Sequence, residues 1–506
     1  MRTLKAKRPE GVANVIAADF GVWQPQGFWY TIAMHTNKKM FLLAAGAVLA
    51  AGLHAAAPRY VFMFIGDGMG MPQRMVAEDY SRRSGRGPLA MNALPYQCLT
   101  RTASANALIT DSAAAATAMA CGEKSNNGAL GVMPDGRRIE SVAEVAKRKG
   151  MKVGIVTTVT IVHATPAAFY AHRKNRGESY RIALDLVASG FDYFAGGGVY
   201  NKYDDRKDSQ YRGNVFDLAR AAGYAVVREK GPFLALKPGA GKVWGVFADE
   251  GLEFDIDDHS AYPTLKEMVA KGVELLDGPQ GFFMMAEGGK VDYAAHANDA
   301  ATTIKDVIAM DDAVKVACAF AERHPDDTLI LVTGDHETGG LAMGFVGTGS
   351  KFHIHLLERQ KCSTESFMKR IHGMLEKDPD LPFEAVKPLV TENFGLIFDA
   401  SAAKTADDRL LVLSKAEVKE LADAFAADVA FVKAKKQETR KHDVRRRQKF
   451  AATAKRLLGN HTGVGWSSGS HTAMPTMTNA RGCGAERFIG LLENYDVGRR
   501  LKELLR

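Results

Sequence analysis

Short apolar runs alternate along this chain with longer segments in which apolar residues recur at helical spacing. The predicted strands are residues 60–65, 152–158, 193–195, 242–247, 282–286 and 328–333. The predicted helices are residues 113–120, 139–148, 292–320 and 415–433. Strands that alternate with helices are typical of an α/β fold with a mostly parallel sheet. We therefore expect a three-layer α/β sandwich with a large, mostly parallel central sheet and additional helical insertions.

Bulk composition narrows the class of protein without defining a function. Of the 506 residues, 46% are hydrophobic and 25% are charged, which is typical of a globular chain with a large core. The net charge of +8 is compatible with a polyanion partner or with an ordinary solvated surface. The five cysteines have no zinc-finger spacing, and no internal repeat is visible.

A basic segment interrupts the pattern near the carboxyl end. We interpret the region from about residue 400 to residue 460 as a helical basic insertion, with its densest positive charge between residues 433 and 456. Acidic residues and alanines interrupt the charge run, and no Phe, Tyr or Trp is interleaved with its most basic part, residues 433–447. Aromatic side chains provide the stacking surfaces of most single-strand binders, so we expect a solvated insertion and no specific nucleic-acid partner.

The amino-terminal region has the layered pattern of an export signal. Lys38 and Lys39 precede an apolar run over residues 40–53, and small residues follow it. We predict that residues 34–57 form a secretory signal peptide and that translation begins at Met34, so that residues 1–33 are a wrongly assigned upstream extension. An uncleaved signal anchor is the alternative. The run is too short for a stable membrane span, so we expect a secreted or periplasmic protein with its catalytic domain over residues 58–506.

Acidic residues follow three of the predicted strands at the point where each strand ends. Asp67 follows the first strand, Glu287 follows the run at 282–286, and Asp335-His336 follows the run at 328–333. Parallel strands bring their carboxyl ends to one edge of a sheet, where ligands bind. Carboxylates crowded at one edge repel each other, and a multivalent cation relieves that repulsion.

Four further segments carry residues that could complete such a site. Ser112 precedes an alanine-rich helix, where it is either an N-cap or a nucleophile at a helix end that attracts phosphate. Asp292 and His296 have the i, i+4 spacing that places two ligands on one helix face. The remaining candidates lie in loops or near strand ends and are His471, His163, Thr165 and Arg176.

Six motif blocks, in this order, closely resemble the alkaline phosphatase family over roughly residues 58 to 505. The blocks are Ile65-Gly-Asp67-Gly-Met-Gly, Thr110-Asp-Ser112-Ala, Ala164-Thr165-Pro-Ala, Glu287-Gly-Gly-Lys-Val-Asp292 to His296, Thr333-Gly-Asp335-His336 and Gly469-Ser-His471-Thr. The resemblance implies a homodimeric phosphomonoesterase that hydrolyses small phosphate monoesters through a phosphoserine at Ser112, with Arg176 clamping the phosphate.

The resemblance also implies two zinc ions and one magnesium ion per chain. The first zinc would be held by Asp292, His296 and His471. The second zinc would be held by Asp67, Ser112, Asp335 and His336, and the magnesium by Asp67, Thr165 and Glu287. His163 lies in the outer shell of the magnesium site, where the best-known bacterial members have an aspartate. Because outer-shell groups tune metal affinity, we expect the third site to be less selective for magnesium.

Two alternatives compete with this interpretation: another reaction of the same superfamily, and a secreted binding protein. A sulfatase would need a Pro and an Arg after its nucleophile, which the run Ser112-Ala-Ala-Ala lacks, and phosphodiesterase relatives typically use threonine. The export signal argues against an intracellular phosphomutase. A secreted binding protein with structural metals would close its sites with protein ligands, and it would need no serine at a helix start.

Overall fold

The computed structural model of the chain describes residues 57–435 and 449–506. The predicted upstream extension and all but the last residue of the predicted signal peptide lie outside the described residues. The same holds for residues 436–448 of the basic segment.

A ten-stranded sheet forms the centre of the described chain, with strand order β14-β2-β13-β8-β1-β7-β3-β4-β6-β5. Every pairing is parallel except those of β13, which runs antiparallel to β8 and to β2. Two small antiparallel pairs, β10–β11 and β9–β12, lie outside this sheet. The strands are β1 Tyr60–Gly66, β2 Tyr96–Arg101, β3 Lys152–Thr160, β4 Tyr193–Gly197, β5 Tyr224–Val227, β6 Lys242–Val246, β7 Phe282–Gly288, β8 Thr328–Gly334, β9 Glu337–Thr338, β10 Leu341–Met343, β11 Val464–Trp466, β12 His471–Thr472, β13 Thr476–Gly482 and β14 Gly490–Glu493.

Helices cover both faces of the sheet. They are α1 Met71–Arg83, α2 Ser112–Cys121, α3 Val142–Arg148, α4 Ala164–Ala167, α5 Ser179–Ser189, α6 Val215–Ala221, α7 Lys230–Leu234, α8 Leu265–Leu276, α9 Lys290–His296, α10 Ala300–Arg323, α11 Thr364–Lys377, α12 Phe383–Phe394, α13 Ala406–Leu410, α14 Lys415–Lys435, α15 Lys449–Thr462 and α16 Asn494–Leu504.

Two hydrophobic cores, one on each face, hold the layers together. In β1, Phe62 and Phe64 belong to one core, while Val61, Met63 and Ile65 belong to the other. This division follows from the two-residue period of a strand, and a strand buried on both faces reads as a continuous apolar run. The predicted three-layer α/β fold with a large, mostly parallel sheet is confirmed.

All of the predicted strands are present, but one predicted helix is wrong. Residues 292–320 form two helices, because α9 ends at His296 and α10 begins at Ala300. Between them Asn298 has a left-handed backbone with φ of 53°. Asp299 then caps α10, since its side chain accepts a hydrogen bond from the Thr302 amide. A left-handed residue followed by an N-cap ends one helix and starts another.

The described part of the basic insertion has one buried, apolar face, which the high charge of the segment did not indicate. Helices α14 and α15 pack against each other, and their apolar side chains, among them Leu421, Phe425, Phe450 and Leu457, join a sheet core. The described part of this segment therefore also has a buried apolar face, which the prediction of a solvated helical insertion did not include. Amphipathic helices place charge outward and apolar residues inward, and a charge count alone does not reveal this division.

The register of the central strands sets out the functional site. Strands β8, β1, β7 and β3 are neighbours, and all four end at the same edge. Gly66 of β1 is level with Gly334 of β8, so Asp67 and Asp335 follow at the same height. Ile65 is level with Glu287 of β7. Three of these strands, β1, β7 and β8, therefore deliver acidic side chains to one place.

Candidate active site

Four buried carboxylates meet at this edge of the sheet. The exposed fractions are 0% for Asp67, Glu287 and Asp335 and 4% for Asp292. Together with nearby histidines they form three overlapping groups, within each of which the candidate ligand atoms lie within 4.8 Å of one another. The groups are Asp292 with His336 and His471, Asp67 with Asp335 and His336, and Asp67 with His163 and Glu287.

Asp292 and His471 of the first group lie beside a further histidine, His296, which is counted with that group from here on, and the Nε2 atoms of His296 and His471 face each other. His296 Nε2 is 3.1 Å from His471 Nε2 and 3.3 Å from Asp292 Oδ2. Each ring uses its other nitrogen on a backbone carbonyl: His296 Nδ1 on Gly469 O at 2.8 Å, and His471 Nδ1 on Thr110 O at 2.9 Å. A carbonyl only accepts, so both Nδ1 atoms carry hydrogen and both neutral rings direct lone pairs inward.

Two lone pairs that point at each other beside a carboxylate need a positive charge between them, either a metal ion or a proton. Tetrahedral zinc with ligands at 2.0–2.1 Å separates its ligand atoms by about 3.3 Å, close to the spacing between these atoms. With no metal, a proton takes this place: the hydrogen bond with Asp292 raises the pKa of His296 to about 9. Burial, together with the nearby charge of His336, lowers the pKa of His471 to about 4. The group therefore fits one cation held by an acid and two neutral imidazoles.

His336 is the link between the first group and the second. Its Nδ1 is 3.2 Å from Thr338 Oγ1, and that hydroxyl donates to Asp292 Oδ1 at 2.6 Å. Because the hydroxyl hydrogen is committed to Asp292, the Thr338 oxygen accepts from His336 Nδ1–H. His336 Nε2 is then an acceptor, and it lies 3.2 Å from Asp67 Oδ1 and 3.4 Å from Asp335 Oδ2.

The second group carries an excess of negative charge. Burial lowers the pKa of His336, but the charges of Asp335 and Asp67 outweigh burial and raise this pKa to about 10. Burial also raises the pKa of Asp335 well above its ordinary value, and the charge of Asp67 adds to this effect. Within residues 57–435 and 449–506, Asp67 Oδ1 and Asp335 Oδ2 accept no hydrogen bond. Buried acceptors without donors are costly, so these residues also fit a bound cation.

Ser112 lies at the mouth of the second group. It is the first residue of α2, and its Oγ is 3.2 Å from His336 Nε2. The N-cap of this helix is Asp111, whose side chain accepts from the Ala114 amide. The N-cap reading of Ser112 is therefore wrong, and its hydroxyl stays available at the positive end of the helix dipole.

The third group joins Asp67 and Glu287 with His163 and Thr165. Thr165 Oγ1 donates to Asp67 Oδ2 at 3.4 Å, and His163 Nδ1 is 3.6 Å from the same oxygen. His163 Nε2 is 3.1 Å from Arg176 Nη2. A guanidinium only donates, so Nε2 accepts and the neutral ring carries its hydrogen on Nδ1. Such a ring turns its Nδ1–H toward Asp67 Oδ2 and Glu287 Oε1, which lie 3.6 and 3.8 Å away.

Arg176 lies between the third group and the start of α2. Its Nη1 donates to Asp111 Oδ2 at 3.0 Å, while Asp111 also caps the helix. Burial alone would lower the pKa of Arg176, but the charge of Asp111 outweighs it and raises this pKa. The guanidinium is therefore held, fully charged, near the serine hydroxyl.

Several residues that organise the site were not predicted as site residues. Asp111 and Thr338 orient Arg176 and His336, and Thr157 donates to Glu287 Oε2. Glu337 also belongs to this set; it accepts from Gln73 Nε2 at 2.5 Å, from the Gly340 amide and from Thr472 Oγ1. It thereby ties β9 to the strand that carries His471. The sequence carries one signal for three of these residues, which is their position: Asp111 directly precedes Ser112, and Glu337 and Thr338 directly follow Asp335-His336.

The site combines a serine at a helix start, a charged arginine and groups that fit bound cations. This is the arrangement expected of a phosphatase. A family model described as Alkaline phosphatase matches residues 58–506. The chain belongs to the alkaline phosphatase family.

Individual relatives agree with this assignment. "Alkaline phosphatase 4" of Bacillus subtilis is 31% identical over 510 residues, which cover 94% of this chain and 98% of that protein. A cold-active alkaline phosphatase from a psychrophilic Shewanella species superposes with a TM-score of 0.73 at 27% identity, covering 88% of this chain and 100% of the other. An alkaline phosphatase variant from the Antarctic bacterium TAB5, 24% identical with a TM-score of 0.58, covers 89% of this chain and 98% of its own and has the same fold.

Proposed function

We propose that this phosphatase hydrolyses phosphate monoesters through a phosphoserine formed at Ser112, and that Arg176 binds the phosphoryl group. The observation that carries the proposal is the position of Ser112 Oγ, 3.2 Å from the inward-facing Nε2 of His336. A serine hydroxyl is a weak nucleophile unless a base or a metal ion activates it. Ser112 lies beside the groups that fit such an ion.

The proposed cofactors are two zinc ions and one magnesium ion per chain. Asp292, His296 and His471 would hold the first zinc, while Asp67, Ser112, Asp335 and His336 would hold the second. Asp67, Thr165 and Glu287 would hold magnesium. When bound, these ions would lower the pKa of the serine hydroxyl and of water and would offset phosphoryl charge. The TAB5 structure with Mg bound in its M3 site is that of a variant in which aspartate replaces a histidine, so that relative offers a magnesium precedent for a site without the histidine.

The side chains of this protein have separate tasks in the proposed reaction. Arg176 holds two phosphoryl oxygens with its planar guanidinium, and Asp111 keeps that guanidinium oriented. Ser112 Oγ then forms a bond to phosphorus while the bond to the ester oxygen breaks, and the alcohol leaves with a proton. Water next attacks the phosphoserine and releases inorganic phosphate, which restores the serine hydroxyl. Positioning and charge neutralisation do most of this work, as in other phosphoryl transfers.

The test compares wild-type enzyme with Ser112→Ala in the hydrolysis of p-nitrophenyl phosphate, with and without a chelator. We expect the variant and the chelated wild type each to lose at least about 10³-fold in kcat. Ser81→Ala is the matched control. Ser81 lies near the end of α1, where its Oγ donates to Gly87 O and faces no group of the site. Equal turnover in wild type and Ser112→Ala would exclude the serine mechanism.

We also propose that the enzyme is exported, to the periplasm or the medium, and acts as a homodimer. The layered pattern of residues 34–57 supports export, with a mature chain that starts near residue 58. In the described parts of the chain, no helix has both the length and the apolar character that a bilayer crossing requires. Exposed apolar side chains at one sheet edge, Leu99, Ile489 and Leu491, support a partner surface. N-terminal sequencing of secreted protein and light scattering would test both points.

A further inference from the structure

A second concave feature lies beside the metal groups, between the β10–β11 pair and helix α15. It is a cleft of about 540 Å³, within the size range of sites that bind drug-sized ligands. The lining residues that bear most on its chemistry are Phe345, Leu357, Gln360, Lys455, Arg456 and Trp466. Helix α15 belongs to the basic insertion, so the insertion builds one wall of this cleft.

One end of the cleft adjoins the first metal group. Asn298, which also lines the cleft, is two residues after His296, and its Nδ2 donates to Ser468 O at 2.8 Å. Ser468 is in turn three residues before His471. A chain spans at most about 3.5 Å per residue, so this end lies within about 7 Å of His296 and about 11 Å of His471 along the backbone. Lys455 strengthens the connection, because its Nζ donates to Ala297 O.

The lining chemistry favours an aromatic, negatively charged ligand. Phe345, Leu357 and Trp466 offer apolar and aromatic surface, while Gln360 and Asn460 offer amide groups. Lys455 and Arg456 bring positive charge from α15, and none of the described residues that line the cleft is acidic. Arg456 also pairs with Glu420, but both side chains are half exposed, and such pairs hold their partners weakly.

We propose that this cleft binds the alcohol part of the substrate and selects phosphate monoesters whose alcohol carries a ring system and a further negative charge. The proposal rests on the proposed monoesterase function, because it places the phosphoryl group at Ser112 and the remainder of the same molecule in the cleft. Helix α15 of the basic insertion then contacts the alcohol part of the substrate, away from the bond that reacts, and these contacts determine which substrates bind well. Binding energy of this kind raises kcat/KM for the substrates that reach it.

The first test fills the cleft and compares two substrates of different reach. Ala452 is exposed on the cleft wall of α15, so Ala452→Trp places a large side chain in the cleft without disturbing a core. We expect the ratio of kcat/KM for adenosine 3′,5′-bisphosphate to kcat/KM for ethyl phosphate to fall about tenfold, mainly through KM. Ala426→Trp is the matched control, because Ala426 is exposed on α14 and does not line the cleft.

The second test removes one cleft charge. Arg456→Gln should reduce the preference for adenosine 3′,5′-bisphosphate over adenosine 5′-monophosphate about three- to tenfold, because one charge-assisted contact is lost. Arg409→Gln removes the same charge from an exposed site in the same insertion, and it should leave the preference as in wild type. An equal effect of both variants would mean that only the overall field of the protein matters, and would overturn the charged cleft.

The third test measures binding without turnover. In a Ser112→Ala background, adenosine 3′,5′-bisphosphate should quench the fluorescence of Trp466 saturably, and Trp466→Phe should abolish that part of the signal. Turnover that persists in Ser112→Ala would refute the proposed serine mechanism. The quenching of Trp466 would still test, independently, whether the cleft binds the substrate. Absence of Trp466 quenching, or quenching with an unchanged substrate ratio in Ala452→Trp, would refute the cleft as a substrate site.

Discussion

At the residue scale, each histidine of the first two groups is oriented by one fixed acceptor. Gly469 O, Thr110 O and Thr338 Oγ1 each take the Nδ1–H of one ring, so that every Nε2 faces inward as a ligand atom. Metal-binding histidines depend on such partners, and loss of a partner typically costs ten- to a hundredfold in metal affinity. Two of the three partners are backbone atoms, which leaves Thr338 as the one that mutation can remove.

We therefore expect Thr338→Val to weaken metal binding about ten- to a hundredfold. Valine has nearly the same shape but gives neither the acceptor for His336 Nδ1 nor the donor to Asp292 Oδ1. Zinc content and activity should be measured against free zinc concentration, with activity restored at high zinc. Thr302→Val is the matched control, because the buried Thr302 Oγ1 has no hydrogen-bond partner in the described part of the chain. Equal zinc affinity in the two variants would contradict this role.

A second prediction at this scale concerns His163. We expect purified wild-type enzyme to lose magnesium on exhaustive dialysis and to accept zinc or cobalt at the third site. The physical reason is that His163 turns an Nδ1–H toward Asp67 and Glu287 instead of a further carboxylate. His163→Asp should retain magnesium better, as measured by metal analysis after dialysis. Stoichiometric magnesium in dialysed wild type would show the prediction to be wrong.

The ligand types could be predicted from the sequence more readily than their partners. Asp67, Glu287 and Asp335 follow apolar strands, and a shared strand edge places them together without further information. Thr338 and Asp292, by contrast, are 46 residues apart, and Asp111 and Arg176 are 65 residues apart. These pairings depend on how loops close over the sheet edge. Local pattern carries no signal for such closure.

At the element scale, the apolar periodicity of residues 292–320 wrongly predicted a single helix where the structure has the break between α9 and α10. The apolar spacing continues across residues 297–299, so residues 292–320 read as one helix. A single left-handed residue at Asn298 redirects the chain and lets α9 carry Asp292 and His296 while α10 packs against the sheet. Asparagine tolerates this conformation better than most residues, yet it is also common in ordinary helices and loops. Its presence alone therefore does not predict a break.

Substitutions at Asn298 should separate backbone strain from hydrogen bonding. Asn298→Ala should destabilise the fold by about 1–2 kcal/mol, because alanine is strained at positive φ. Asn298→Gly should cost less, since glycine accepts this φ, although both variants lose the bond to Ser468 O. Chemical denaturation gives the free energy of unfolding for each. If glycine proves as costly as alanine, the side-chain hydrogen bond and not the backbone accounts for the effect.

The unpredicted strand β13 illustrates a different limit. Its sequence Thr-Met-Thr-Asn-Ala-Arg-Gly looks polar, yet Thr476 and Thr478 are fully buried. Thr478 Oγ1 lies 2.8 Å from Thr100 Oγ1 and 2.7 Å from Thr333 Oγ1, so the hydroxyls of three strands satisfy each other. Burial of polar groups costs little when they pair, and only the assembled sheet creates those pairs. A hydropathy pattern therefore gives no sign of this strand.

At the scale of the whole molecule, the proposed ions should also hold the fold together. Four carboxylates buried at one sheet edge repel each other, and a cation bound only by the folded chain stabilises that chain by mass action. Removal of metal by a chelator should lower the melting temperature by about 5–15 °C, which calorimetry would measure. Asp67→Asn should raise the melting temperature of the chelated protein and reduce the gain on adding metal. Identical melting with and without chelator would rule out this stabilisation.

The proposed ligands of the site are spread from Asp67 to His471, across most of the chain, and this has a consequence for biosynthesis. His471 precedes β13, the strand inserted between β8 and β2. A chain emerging from the ribosome therefore lacks one imidazole and one central strand until residues 471–482 have been made. Non-local pairing of this kind makes folding slow and leaves strand edges open meanwhile. The nascent polypeptide therefore cannot finish the proposed zinc site until His471, the last proposed ligand in sequence order, has been made.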